Sequence, residues 1–326
     1  MAHNLTVNGN VVEMAYAGET PWHGLGNALP ALATVEEMQR AAGLLWTVRK
    51  APMFDERGIV VPGFQAVTRD DNNVVLGVVS NQYHIIQNTQ AFETLDALIA
   101  EGAATVETAG SLGGGFRVWA LSKVPGDFRV IGEDIVNAYF LLDWRHDGNG
   151  GLSGRLTPIR VVCQNTLSAA TGGRAAFSIR HAANAKLRIE EAHRALGIVR
   201  HRMEETTEAY RALAAKQVTE PVAKGYFSSL FQPKAQGEEE TVESFIRRME
   251  SFDSQQDELV ALFEGGAGAE YGRGNAWGAY NAVTEWVDHR YPVLQNGKVS
   301  DTRQESALFG TYAKVKQDAL DLALAL

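Results

Sequence analysis

Three residues in one short stretch, Asp143, His146 and Asp147, are of the types that hold a divalent metal. Two carboxylates and an imidazole could bind Mg²⁺ and serve a metal-dependent nucleic-acid-processing enzyme of the nuclease type. On an extended strand Asp143 and Asp147 project to one face and His146 to the other, so a turn beginning at His146 is needed to gather them. The run Asp147 to Gly151 is itself a strong hairpin signal, because Gly and Asn tolerate positive φ, and Asp147 suits that turn without any metal.

A second chemistry is electrostatic. No Asp or Glu occurs between Gly148 and Ile189, whereas Arg155, Arg160, Arg174, Arg180, Lys186 and Arg188 do. From Arg145 to Arg202 the net charge is +7, against −9 for the whole chain, so the remainder carries −16. Like charges crowded on one surface repel unless an anion neutralises them, and a phosphate backbone is the readiest such anion. Arg145, Arg155, Arg160, Arg174, Arg180, Lys186 and Arg188 are therefore candidates to grip a nucleic acid, with Trp144 as a base-stacking face. The competing expectation is that these cations meet acidic side chains elsewhere in the fold.

The elements that must position these residues can be read from periodicity. Thr34 with Glu37 predicts a capping box opening a short helix that ends near Gly43. From Leu45 to Ile86, runs of Val, Ile and aromatic residues broken at 55–58 and 70–73 predict a meander of about three strands. A helix starting at Asn88 or Thr89 carries Phe92, Leu95, Leu98 and Ile99 on one face. Strands follow over 104–109, 116–124 and 135–144, with another near Leu152. Thr157 and Pro158 read as an N-cap and first-turn proline, which would place Arg160 at a helix start and aim it with Arg155 at one phosphate groove. A long helix from about Asn184 to Lys216 carries a four-and-three seam through Ala192, Leu196, Val199, Met203, Thr206, Tyr210 and Leu213. Asn275 caps a later helix and Asp301 another.

These elements predict an α+β protein: antiparallel meanders and hairpins with packed helices, a β-β-β-α-like core, then a mostly helical C-terminal part. The expected division is an N-terminal arm over 1–33, an α+β core over 34–181 and a helical region over 182–326. The arm contains Pro21-Trp22-His23-Gly24-Leu25-Gly26, an extended segment suited to docking. Cys163 is the only cysteine, which excludes an internal disulfide and a thiolate zinc site within one chain. No run approaches the roughly 18 apolar residues of a membrane helix, and Met1 to Asn10 lacks a signal-peptide pattern, so a cytoplasmic protein of a bacterial host with no membrane partner is expected. No Walker loop, zincin motif or nucleophile elbow is present, and Gly110 to Gly115 and Gly272 to Gly274 read as turns.

Four runs carry a resemblance: Pro21 to Gly26, Arg160-Val161-Val162-Cys163-Gln164-Asn165-Thr166-Leu167, Ile179-Arg180-His181, and Asn275-Ala276-Trp277-Gly278 with Asn281-Ala282-Val283-Thr284. In this order they resemble the phage- and plasmid-like family of a domain of unknown function. The order of elements alone is similar to the single-strand annealing proteins of the Redβ, RecT and Erf type. That likeness implies a ring or filament of identical subunits holding single-stranded DNA in a basic groove without a cofactor. The expected function is therefore single-stranded DNA binding and annealing during phage or plasmid recombination. The alternatives are the Mg²⁺-dependent enzyme at Asp143, His146 and Asp147, and a phage protein-binding module that targets a host factor.

Overall fold

The structure, a computed structural model, describes residues 4–9, 11–18, 24–99, 104–160, 162, 166–168, 175–179, 189–233, 235, 240–290, 294–295, 298–299 and 303–326. In chain order the strands and helices are β1 (Val7–Asn8), β2 (Val11–Val12), β3 (Met14–Ala17), β4 (Asn27–Leu29), α1 (Val35–Ala41), β5 (Val48–Phe54), β6 (Val60–Arg69), β7 (Val75–Ser80), α2 (Asn88–Ile99), β8 (Thr105–Leu112), β9 (Arg117–Ile131), β10 (Asp134–Arg145), β11 (Leu152–Arg160) and β12 (Phe177–Ile179). There follow α3 (Ile189–Ala215), α4 (Glu220–Phe231), α5 (Val242–Gly265), α6 (Ala269–Gly272), α7 (Ala276–Glu285), β13 (Leu294–Gln295), β14 (Lys298–Val299), α8 (Arg303–Phe309) and α9 (Thr311–Ala325). The protein is α+β, with a mostly helical C-terminal part.

The chain divides into two units that interleave in sequence. The first takes 1–126, 138–157 and 174–201; the second takes 127–137, 158–173 and 202–326. Residues 1–33 therefore belong with the first unit, and two segments from the middle of the chain belong with the helical one.

The main sheet, most of whose residues belong to the first unit, has the order β12-β11-β10-β9-β8-β3-β4, with β3 parallel to β4 and antiparallel to β8. The expected meander forms a separate antiparallel sheet in the order β5-β6-β7. Its breaks fall where turn residues cluster, at 55–58 and 70–73. The capping box at α1 is present, with the Thr34 hydroxyl accepting from the Glu37 N–H and the Glu37 carboxylate accepting from the Thr34 N–H. Met38, Leu44, Phe92, Leu95, Trp119, Phe140 and Trp144 are buried here.

The second unit is built on helices α4, α5, α7 and α9 and the C-terminal part of α3. Met203, Thr206, Tyr210 and Leu213 are all buried, as the four-and-three seam requires. Asn275 caps α7 by accepting from the Gly278 N–H. Pro221 stands in the first turn of α4, where a missing N–H loses no helical bond. Among the described residues, no helix is long and apolar enough to cross a membrane.

One local expectation is overturned. Thr157 and Pro158 do not open a helix; β11 runs on through both to Arg160. The period of 2 outweighs the cap signal, because Leu152, Gly154, Leu156, Pro158 and Arg160 alternate inward while Ser153, Arg155 and Ile159 are half-exposed. Residues 155 and 160 differ in parity, so their side chains leave opposite faces of the strand and cannot share one groove.

The β10–β11 turn is fixed by a close approach. A Cβ on Gly77 in β7 would collide with the Asp147 backbone, lying 2.6 Å from its Cα. Gly148 takes φ +83° in the same turn. Gly77→Ala should force the turn off β7 and cost about 1–3 kcal/mol, read as a lowered urea midpoint with unchanged far-UV circular dichroism.

Candidate functional site

The hairpin β10–β11 presents most of the residues expected to do chemistry, and each has a partner. In the first unit, Asp143 accepts from Ser153 Oγ at 2.7 Å and from Arg155 Nη2 at 2.8 Å. The Arg117 guanidinium stands 4.0 Å from its other oxygen. Arg145 donates from Nε and Nη2 to both oxygens of Asp147, which also accepts from the Asn149 N–H and side-chain amide. The Arg145 guanidinium lies 5.3 Å from the Phe116 ring centroid. Burial pushes the Asp147 carboxyl upward, but the Arg145 and Asn149 hydrogen bonds outweigh it and hold the group below the ordinary aspartate range.

His146 and Trp144 are bound to one amide. Asn88 donates its side-chain NH₂ to the Leu44 and Trp46 carbonyls, which leaves Oδ1 as an acceptor for Trp144 Nε1 at 2.9 Å. His146 Nε2 is also 2.9 Å from that oxygen and must therefore donate to it, so this nitrogen offers no lone pair to a metal. Trp144 is fully buried, with Phe92 edge-on at 5.4 Å between centroids. It is a core side chain, not a base-stacking face.

In the second unit Arg160 is 1% exposed and donates to both oxygens of Asp134, with Nη2 at 2.6 Å. Trp277 Nε1 donates to the same carboxylate at 2.8 Å, and the Ala267 and Gly268 carbonyls accept the other guanidinium hydrogens. A second buried knot lies in this unit. Asp288 accepts from the Thr166 N–H and hydroxyl at 2.9 Å and from Lys316 Nζ at 2.7 Å. Burial lowers the Lys316 pKa, and the Asp288 charge works against that shift. Tyr280 donates nothing to this pair; its hydroxyl accepts from the Ser168 N–H, while Tyr210 donates to the Ser168 carbonyl.

The structure thus corrects three members of the expected basic ledge. Arg145, Arg155 and Arg160 are matched by Asp147, Asp143 and Asp134, because acids adjacent in the sheet take up the cations that the linear sequence left uncompensated. Arg174, Arg180, Lys186 and Arg188 lie outside the described residues, as do Trp22, His23 and Cys163. Asp143, His146 and Asp147 do not converge either, and among the described residues no group of three His, Cys, Asp or Glu could hold a metal ion.

Arg145 and Asp147 do line a cleft in the first unit, of about 510 Å³, with Val74, Leu76, Phe116 and Asn149. Its two charges neutralise one another, so an ionic ligand finds no unmatched charge there. Val75, Gly77 and Val78 of β7 line the same cleft, and what their sheet offers is apolar. The register pairs Phe64 with Ser80, Ala66 with Val78 and Ala51 with Ala66, which puts these residues on one face of the β5-β6-β7 sheet. Phe64 is 53% exposed, Val75 60% and Val78 49%, while Val67 and Val79 on the opposite face are buried. This surface went unrecognised in the sequence, although Val74-Val75-Leu76-Gly77-Val78-Val79 is an uninterrupted apolar run. Such a run belongs to strands covered on both faces, whereas a strand with one wet face alternates.

A β-rich unit with an open apolar sheet and a helical unit stitched by buried ion pairs define an α+β chain whose candidate site is a surface. The chain belongs to the family described as Domain of unknown function (DUF932), whose model matches residues 75–316. No curated protein and no solved structure matches it. The match omits Pro21 to Gly26 and spans the runs beginning at Arg160 and Asn275, which meet at Asp134 through Arg160 and Trp277.

Two outcomes follow from these contacts. Arg160→Ala strands a buried carboxylate and should lower stability by about 3–5 kcal/mol in urea unfolding, whereas Arg155→Ala, at a part-exposed pair, should cost about 1 kcal/mol. The Asp147 pKa is depressed in the fold, so its stabilisation is fully present above the ordinary value, near pH 4, and is lost as pH falls through the folded value. The gap between the parent and Asp147→Asn in urea midpoint should therefore be open at pH 7 and narrow as the pH falls below the ordinary aspartate range.

Proposed function

We propose that this chain acts by docking another macromolecule on the open face of its β5-β6-β7 sheet, as a protein-binding module in the phage and plasmid setting suggested by its sequence motifs. The observation that carries the reading is the exposure of Phe64, Val75 and Val78 on a face that has an apolar strand pattern. Contiguous exposed apolar surface marks interaction sites, because covering it removes it from water without having to strip a charged group. Arg49 is the one charged residue that the register places on this face, at its corner, where it donates to Asn73.

Single-strand annealing is the second reading, favoured by the succession of β9, β10 and β11 and then the long helix α3. Its cations reduce to Arg174, Arg180, Lys186 and Arg188, outside the described residues, together with the exposed Arg200 on α3. The Mg²⁺-dependent reading gains nothing from Asp143, His146 and Asp147, which are held by separate partners.

Titration of mixed-sequence single-stranded oligonucleotides at several salt concentrations separates the readings. The docking module should show only weak binding, equal in the parent and Phe64→Glu. Tight binding whose logarithm falls with log salt by about 0.7 per phosphate contact, and which Arg200→Ala weakens, would replace it with the annealing reading.

A further inference from the structure

We infer that Lys316 and Asp288 join their side chains in an amide bond that the folded chain makes by itself, a covalent cross-link between α9 and the π-helical turn Trp286–Arg290 that follows α7. All of its residues lie in the second unit, so the inference stands apart from the docking reading.

The first ground is the isolation of the pair from water. Lys316 Nζ is 2.7 Å from Asp288 Oδ1, and the two side chains are 2% and 7% exposed. In water an ammonium and a carboxylate remain charged and do not condense. Burial penalises both charges, and passing one proton from Nζ to Oδ1 removes both at once. Burial already lowers the Lys316 pKa, against the pull of the Asp288 charge. The Arg160 and Asp134 pair is as deeply buried, yet it has no such outlet, because a guanidinium keeps its proton.

The second ground is how the carboxylate is held. The Thr166 N–H and hydroxyl both donate to Oδ2, each at 2.9 Å, while Nζ donates to Oδ1 and to the Thr166 hydroxyl. Two donors on one oxygen in a dry site stabilise the negative charge that develops there during acyl transfer. The two oxygens therefore have different fates. The neutral amine attacks Cγ, and Oδ2 takes the charge. A second proton then passes from nitrogen to the Oδ1 hydroxyl, the Cγ–Oδ1 bond breaks, water leaves, and Oδ2 becomes the carbonyl oxygen of a secondary amide. Carbon, nitrogen and oxygen keep their oxidation states, so no oxidant, reductant or other reactant is needed. Fixing the two groups in contact supplies the proximity that free amines and acids lack. The bond closes the chain from Asp288 to Lys316 into a loop, a restriction that acts on the unfolded state.

Intact-mass spectrometry of the full chain, denatured before measurement, tests this. The parent should be lighter by one water than its sequence, and a protease digest should contain a branched fragment that joins Asp288 to Lys316. Lys316→Arg and Asp288→Ala should each show the full mass of their sequences. A variant that failed to fold would also keep its water, so the branched fragment of the parent is the deciding readout. Thr166→Val, which removes only the hydroxyl donor, adds a rate: freshly made chain should lose its water at least about tenfold more slowly than the parent. A parent at the full mass of its sequence overturns the cross-link. So does a lost water that fragmentation places elsewhere, a deficit that persists in Lys316→Arg, or closure of Thr166→Val at the parent's rate.

Discussion

A guanidinium leaves water only where a carboxylate meets it in good geometry, and that constraint organises the second unit. Arg160 is buried on Asp134, and Trp277 completes the same carboxylate from α7. Three segments distant in sequence, the turn end of β10, the end of β11 and the start of α7, are thereby tied to one buried charge. Removing any partner would leave the others desolvated and unmatched, which is far less favourable than never having buried them. The Asp288, Lys316 and Thr166 cluster repeats the device and ties α9 to the segment after β11.

This arrangement gives the family's sequence runs a physical meaning. The run beginning at Arg160 and the run beginning at Asn275 carry the family resemblance when read in line, and Arg160 was expected in a phosphate groove. In space their polar groups face inward: Arg160 and Trp277 to Asp134, Thr166 to Asp288, Asn275 to the α7 N-terminus. They position structure.

The legibility of the fold was uneven for identifiable reasons. The capping box at Thr34 and Glu37, the cap at Asn275, the meander over 45–86 and the seam from Val199 to Leu213 depend on neighbours a few residues away, and each formed as read. The helix expected after Thr157 failed because a local cap signal competed with pairing to β10 and β12, and the sheet prevailed. The pairing of Arg160 was illegible for a related reason: its partner Asp134 is 26 residues away in sequence. Trp144 could be placed in a strand from sequence, but its burial against Phe92 and Asn88 required α2 to be in place.

By itself the sequence determined what short-range physics controls: the α+β class, the element types, the caps and turns, and an excess of cations between Arg145 and Arg202. Only the tertiary structure decided which cations keep their charge available, since strand pairing sets Asp143 beside Arg155 and brings Asp134 to Arg160. It also decided which apolar face stays open. Both faces of β7 read as core because hydrophobicity is a property of residues, whereas burial depends on how many layers the rest of the chain can lay over them.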